Sequence, residues 1–227
     1  MNTTPVRLWD VPTRMFHWLL AGGIAFSWFS AEVGGNWMEW HERSGIFLLS
    51  LILFRVVWGF VGSETSRFAH FIRSPAAALA YLKAAKTQPK DTPAYYAGHN
   101  PMGAWMVLAL LGVIGLQGVT GLFATDDIAT EGPLAGLVTS DTAELLTTVH
   151  HVLFNIVLAF AVLHIAAVVF YRVAKHTNLI KAMVVGSADW PASQPQPTPF
   201  KFQPAWLGLV VFVACYGAVT GLIQLLA

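Results

Sequence analysis

The chain has 227 residues, of which 56% are hydrophobic and 11% are charged, whereas soluble domains carry about 25% charged residues. This composition excludes an ordinary water-soluble domain, and the nine Trp residues suit anchoring at the two faces of a membrane. The single cysteine, Cys215, excludes an internal disulfide and any all-cysteine metal site. The formal net charge is only +1, and we expect no nucleic-acid partner.

Five apolar stretches approach or exceed the roughly 20 residues that a helix needs to cross the hydrocarbon layer. Helices satisfy their own backbone polar groups in lipid, so each stretch is predicted to be a transmembrane helix. The first stretch also has the character of a secretory signal peptide, but its length and its residues His17 and Trp18 favour a retained helix. The predicted spans are residues 15–31, 45–62, 102–125, 145–171 and 205–227.

The predicted fold class is an all-α membrane protein, with a four-helix transmembrane bundle and a fifth, C-terminal transmembrane helix. Residues 1–186 are predicted to form the four-helix domain, and residues 205–227 the additional helix. Residues 187–204 form a Pro-rich linker between them. The segment Pro75–Lys86 opens with proline and is edged with lysine, which predicts a short amphipathic helix on the inner surface.

The basic residues predict the orientation of the chain, because Lys and Arg are enriched in cytoplasmic loops. The N-terminal segment and two alternate loops are basic, whereas the two remaining loops contain only Arg43. We therefore expect a multi-pass protein of the bacterial inner membrane, with a cytoplasmic N-terminus and a periplasmic C-terminus. The basic residues on the predicted inner side are Arg7, Arg14, Arg67, Arg73, Lys83, Lys86, Lys90, Arg172, Lys175, Lys181 and Lys201.

The two predicted outer loops are acidic. This face is either simply solvated or steers a positively charged partner towards the outer end of the protein. Its acidic residues are Glu32, Glu39, Glu42, Asp126, Asp127, Glu131, Asp141 and Glu144.

Four histidines lie in or at the ends of predicted spans, where ionisable groups are costly and usually mark function. His150 and His164 are 14 residues apart, which places them about 40° apart around one helix and about 21 Å apart along its axis. His151 would face nearly the opposite way from His164. His41 lies at the outer end of the second span, level with His150, and His17 lies at the inner end of the first, on the side of His164. The sequence therefore predicts two pairs, His41 with His150 and His17 with His164.

A histidine pair facing across a helical bundle is a natural axial clamp for haem iron. Two such clamps at different depths predict two b haems, held without a covalent link because the chain has no CxxCH motif. Arg55, on nearly the same face as His41, is predicted either to neutralise a haem propionate or to extend to the cytoplasmic surface. Arg14, one turn before His17, has the same two interpretations. The four glycines Gly112, Gly115, Gly118 and Gly121 either permit close helix packing or leave room for a flat porphyrin.

These residues resemble the bacterial cytochrome b561 family, which includes the b-type subunits of nickel–iron hydrogenases. The resemblance covers roughly residues 7–186. It rests on the segments Trp9–Trp18, His41 to Arg55, Gly98–Gly103, and His150 to His164 running into Lys175–Asn178. The family implies a four-helix haem core that exchanges electrons with quinone and with another redox protein. It also implies that His17, His41, His150 and His164 are the axial ligands.

The predicted function is electron transfer between the quinone pool of the respiratory chain and a periplasmic redox partner, such as a c-type cytochrome or a redox-enzyme subunit. Catalysis in the strict sense would be confined to quinone oxidation or reduction. One alternative is a transporter that uses histidines as proton relays, but its expected mid-span Asp or Glu is missing from the sequence. Another is a haem-free membrane anchor of a redox enzyme. The direction of electron flow and the oligomeric state stay open.

Overall fold

The computed structural model of the chain describes residues 3–87, 95–126, 130–192 and 194–227, so Lys90 and Asp127 lie outside the described residues. The structure is mostly helical, at 73%. In chain order its elements are β1 Thr3–Arg7, α1 Val11–Val33, α2 Met38–Val61, α3 Phe68–Phe71, α4 Pro75–Thr87, α5 Pro101–Gly121, α6 Ser140–Val173, α7 Leu179–Val185, β2 Ser187–Pro191 and α8 Ala205–Leu226.

The five predicted spans correspond to the five long helices α1, α2, α5, α6 and α8. Within the described ranges, four helical stretches are long and apolar enough to cross a membrane, namely Gly35–Val61, Pro101–Gly121, Ser140–Val173 and Ala205–Leu226. Helix α1 is not among them, because polar residues such as Arg14, His17 and Ser27 lower its hydropathy. The membrane character of the protein is therefore clear, while the count of five spans stays a prediction.

Short polar side chains set where several helices begin. Asp10 accepts a hydrogen bond from the Thr13 backbone N–H at 2.8 Å and so caps α1. Asn100 caps α5 in the same way through the Gly103 N–H at 2.7 Å. Asn178 caps α7, which then ends at Gly186 in the left-handed region, with a φ of 88°. The predicted amphipathic helix at Pro75 is present as α4.

One element departs from the all-α prediction. Strands β1 and β2 pair antiparallel, with Thr3 opposite Pro191 and Arg7 opposite Ser187. Strand β2 occupies the first residues of the segment predicted as a Pro-rich linker. Because 179 residues separate the two strands in sequence, their pairing depends on the tertiary fold and not on a local pattern.

The contacts divide the chain into two compact units. The first contains residues 3–15, 57–109 and 160–208, and its small apolar core consists of Leu8, Trp9 and Ala182. Trp58 in this unit is fully buried. This unit also contains the β1–β2 sheet, α4 and α7.

The second unit contains residues 16–56, 110–159 and 209–227. Helix α2 packs against two other helices of this unit: the Phe54 ring lies 6.2 Å from the Phe212 ring of α8, and a Cβ atom at Gly115 of α5 would lie 3.5 Å from the Ile52 side chain. Leu51 and Phe54 are almost completely buried. Helix α6, in contrast, exposes most of its apolar surface, as expected for a helix that faces lipid.

Candidate functional site

His41 and His150 face each other inside the second unit. His41 lies in the first turns of α2 and His150 in α6, and their ring centroids are 6.1 Å apart with the ring planes at 83°. Both rings are partly buried. The structure therefore brings together one of the two histidine pairs that the sequence predicts.

Main-chain carbonyl groups orient both rings. His41 Nδ1 lies 2.8 Å from the Ser27 carbonyl oxygen, and His150 Nδ1 lies 2.9 Å from the Gln117 carbonyl oxygen. Because a carbonyl oxygen only accepts, each Nδ1 carries the proton and each Nε2 presents a lone pair. Metal-binding histidines almost always have this second contact, which fixes the tautomer and the ring orientation.

The spacing of the pair fits a shared metal ion. Two imidazole nitrogens on opposite sides of one metal ion, each about 2 Å from it, put the ring centroids roughly 6 Å apart, close to the 6.1 Å observed. Among the described residues, no group of three or more His, Cys, Asp or Glu side chains could hold a metal ion alone. The donor set therefore suits a metal whose other ligands belong to a cofactor, as in haem.

The side chain of Gln117 also contacts His150. Its amide Nε2 lies 2.9 Å from His150 Nε2 and donates to the lone pair there. Its amide oxygen is buried and has no hydrogen-bond partner among the described residues. For His150 to bind a metal through Nε2, this amide must turn away from the ring.

The glycines of α5 fall into two groups. A Cβ atom at Gly121 would lie 2.8 Å from Cε1 of His150, and one at Gly118 would lie 3.2 Å from the Leu49 side chain. These two positions therefore permit close packing, and Gly121 in particular leaves room for the His150 ring. A Cβ atom at Gly112 would meet open space, as would one at Gly45 on α2.

The other predicted ligands lie in different parts of the fold. His17 is on α1 in the second unit, where its ring packs edge-on against Trp18 at 4.8 Å. His164 lies in the part of α6 that belongs to the first unit, whereas His150 lies in the part that belongs to the second. His151 is exposed, whereas its neighbour His150 is partly buried. The pairing of His17 with His164 stays a prediction.

The two arginines predicted near cofactors have different surroundings. Arg55 is only 2% exposed, so its guanidinium does not extend to the surface. Arg14 donates from Nη1 to the Val184 carbonyl oxygen at 2.5 Å and packs against Gly186. This contact joins Arg14 to the end of α7 within the first unit.

Asp10 is a residue whose importance the sequence reasoning missed. Its carboxylate is 1% exposed, caps α1, and accepts from Trp58 Nε1 at 3.0 Å and from Ser66 Oγ at 3.4 Å. The signal was available, because an Asp shortly before Pro12 at the start of an apolar run is a typical helix N-terminus. The network attaches the start of α1 to the last turns of α2 and to a residue that follows it.

A second polar cluster lies in the first unit. The hydroxyls of Tyr81 and Tyr171 are hydrogen-bonded to each other, and Asn100 Nδ2 donates to the Tyr171 hydroxyl at 2.6 Å. Burial, and then the hydrogen bond with Tyr171, raise the pKa of Tyr81 above its usual value of 10. Tyr81 therefore stays protonated at neutral pH. Hydrogen bonds between uncharged side chains thus connect α4, the start of α5 and α6.

Comparison with known proteins shows the family of the chain. The family model described as prokaryotic cytochrome b561 matches residues 8–186, which is well over half of the chain. No curated protein and no solved structure matches the chain. The match includes all four predicted histidine ligands and ends before α8. The chain therefore belongs to the prokaryotic cytochrome b561 family, whose members are membrane-bound b-type cytochromes that bind haem b and transfer electrons.

Proposed function

We propose that this protein is a di-haem b-type cytochrome that passes electrons across the inner membrane, between the quinone pool and a periplasmic redox partner. The observation that supports it most is the opposed pair His41 and His150, with a spacing of 6.1 Å and both Nδ1 atoms hydrogen-bonded to carbonyl oxygens. A histidine with a purely structural role in a membrane helix needs only one hydrogen bond to a carbonyl oxygen. Two neighbouring rings, each with Nε2 as its remaining electron-pair donor, would suit binding of a haem iron.

His41 and His150 would hold the outer haem. When bound, the haem iron supplies a reversible one-electron couple, and the protein controls ligation, burial and hydrogen bonding. Ser27 and Gln117 hold the two rings through their carbonyl groups, so little reorganisation of the ligands is needed. Gly121 leaves the space that the His150 ring occupies.

His17 and His164 would hold the inner haem. Support comes from the helical spacing of His164 and His150, which puts the two ligands of α6 on similar faces about 21 Å apart. Arg55 is the better candidate for a propionate partner, because only 2% of the residue is exposed. Arg14 is the weaker candidate, since it donates to Val184.

The outer loops would receive the periplasmic partner. Glu39 and Glu42 at the start of α2 and Glu131 between α5 and α6 line one cavity in the second unit. Arg43 forms an ion pair with Glu39 and offsets part of this charge. The surface therefore favours a partner that is basic around its own electron-exit site, such as a c-type cytochrome.

The quinone part of the proposal has a direct test. A short-chain quinol is added anaerobically to the oxidised, purified protein, and haem reduction is followed by its absorption bands. We expect bands of low-spin b haem to appear as quinol is consumed. A protein with reduced bands after dithionite but none after quinol would contradict the quinone role, and one with no haem bands at all would favour the anchor or the transporter.

A further inference from the structure

The two carbonyl groups that orient His41 and His150 share a feature. Each accepts a second hydrogen bond from a hydroxyl group three residues later on its own helix. Ser30 Oγ donates to the Ser27 carbonyl oxygen at 2.8 Å, and Thr120 Oγ1 donates to the Gln117 carbonyl oxygen at 3.1 Å. The same arrangement thus occurs on α1 for one ring and on α5 for the other.

Both hydroxyl groups are shielded from water. Ser30 is 0% exposed and Thr120 is 7% exposed. Water therefore cannot replace either hydroxyl group as a donor to the carbonyl oxygen if the side chain is removed. Hydrogen bonds in such surroundings are also electrostatically stronger than those exposed to solvent.

These hydroxyls affect the histidines through the carbonyls. A strong acceptor at Nδ1–H draws the proton away from the ring, makes the imidazole a more basic ligand and so stabilises ferric iron. A hydroxyl that donates to the same carbonyl oxygen takes part of its electron density and weakens that acceptor. Each hydroxyl therefore limits the basicity of the histidine that donates to the same carbonyl oxygen.

We propose that Ser30 and Thr120 are positioning residues that raise the redox potential of the haem held between His41 and His150. The proposal rests on the function proposed above, in which this pair ligates the outer haem. Neither residue touches the rings as a main partner: Ser30 acts through Ser27, and Thr120 acts through Gln117. Thr120 Oγ1 also lies 3.4 Å from His150 Nδ1, at the limit of a hydrogen bond.

Ser30 and Thr120 are predicted to raise the redox potential by different amounts. Ser30 gives its proton to the Ser27 carbonyl oxygen alone among the described contacts. Thr120 shares its proton between the carbonyl oxygens of Leu116 at 2.9 Å and Gln117 at 3.1 Å. The Ser30 hydroxyl should therefore have the larger effect on the potential.

The test is a spectroelectrochemical titration of the purified holoprotein with Ser30→Ala and, separately, Thr120→Val. We expect the outer haem of each variant to favour the ferric state by about two- to tenfold, which at 59 mV per tenfold is a downward shift of roughly 18 to 59 mV. The shift should be larger for Ser30→Ala, and the other haem should keep its potential. Ser30→Thr and Thr120→Ser, which keep the hydroxyl group, should restore the original value.

Ser50→Ala is the matched control. Ser50 is also 0% exposed and its hydroxyl donates to a main-chain oxygen, that of Ile46 at 2.8 Å, but neither residue belongs to the histidine site. Its potentials should equal those of the original protein. Unchanged potentials in both hydroxyl-deleted variants, an upward shift, or an equal shift in Ser50→Ala would overturn the inference.

Haem content separates this inference from the proposed function. His41→Ala should lose the outer haem. If it retains all haem, the assignment of the ligands is wrong. If it loses haem while Ser30→Ala and Thr120→Val titrate like the original protein, the ligands stand and the role of the hydroxyls is rejected.

Discussion

At the scale of single residues, His150 and His151 are neighbours with different surroundings. His150 contacts the Gln117 carbonyl oxygen and faces His41, whereas His151 is exposed. We expect His150→Ala to lose one haem per chain and His151→Ala to lose none, because only His150 faces another ligand. Haem content per chain, measured at equal protein yield, checks this. Loss of haem from the His151 variant with none from the His150 variant would reverse the assignment.

Asp10 is predicted to be important for stability. Replacing Asp10 by Ala removes the cap of α1 and leaves the buried Trp58 indole N–H without its acceptor. We expect a loss of about 2–4 kcal/mol, which lowers the midpoint of thermal unfolding in detergent. The control is Asp189→Ala, because the ion pair of Asp189 with Lys181 is exposed and should cost less than about 1 kcal/mol. Equal destabilisation by the two variants would contradict the role of Asp10.

The residues of the site differed in how far the sequence could predict them. The helical period was enough to separate His150 from His151 and to pair His150 with His41 by depth. Ser27 and Gln117 were not predictable, because they hold the rings through main-chain carbonyl groups that every residue has. Which carbonyl meets which ring depends on how the helices pack.

At the scale of helices, the glycines of α5 give a prediction. A Cβ atom at Gly121 would lie 2.8 Å from Cε1 of His150, so Gly121→Ala must displace the ring or the helix. We expect this variant to bind the outer haem more weakly or to change its low-spin spectrum. Gly217→Ala on α8 is the control, since its Cβ atom would meet open space. Identical spectra and haem content in Gly121→Ala, Gly217→Ala and the original protein would show that Gly121 does not form part of the site.

The long helices were predictable because length and apolarity are strong local signals. The beginnings of α1 and α5 agree with capping chemistry at Asp10 and Asn100. The β1–β2 sheet was not predicted, because each strand has only five residues and its partner is at the other end of the chain. Helix α1 differs in the other direction, because it was predicted as a membrane span and is a regular helix. Its polar residues, however, keep its hydropathy below that of the other four long helices.

At the scale of the whole molecule, charge should govern the encounter with the outer partner. The two outer loops predicted from the sequence contain eight acidic residues and one arginine, and exposed charges are screened beyond about 8 Å at physiological ionic strength. Electron transfer to a basic partner should therefore slow as salt is added. Replacing Asp126 and Asp127 by Asn and Glu131 by Gln should slow it similarly at low salt.

Stopped-flow haem oxidation across a salt series measures both effects. Asp126→Asn keeps the side-chain oxygen that accepts from the Thr130 backbone N–H at 2.8 Å, so the loop keeps this contact. Lys181→Gln, on the predicted inner side, is the control and should leave the rate unchanged. A rate that depends on neither salt nor the triple substitution would favour a partner held permanently by apolar contacts.

The number of haems per chain tests the central claim most directly. His41 and His150 form one pair in the structure, and His17 and His164 are the predicted second pair. A pyridine haemochrome assay on purified protein, with the protein quantified independently, should give two b haems per chain. A reproducible value of one would contradict the di-haem account and would mean that one of the two histidine pairs serves the structure alone.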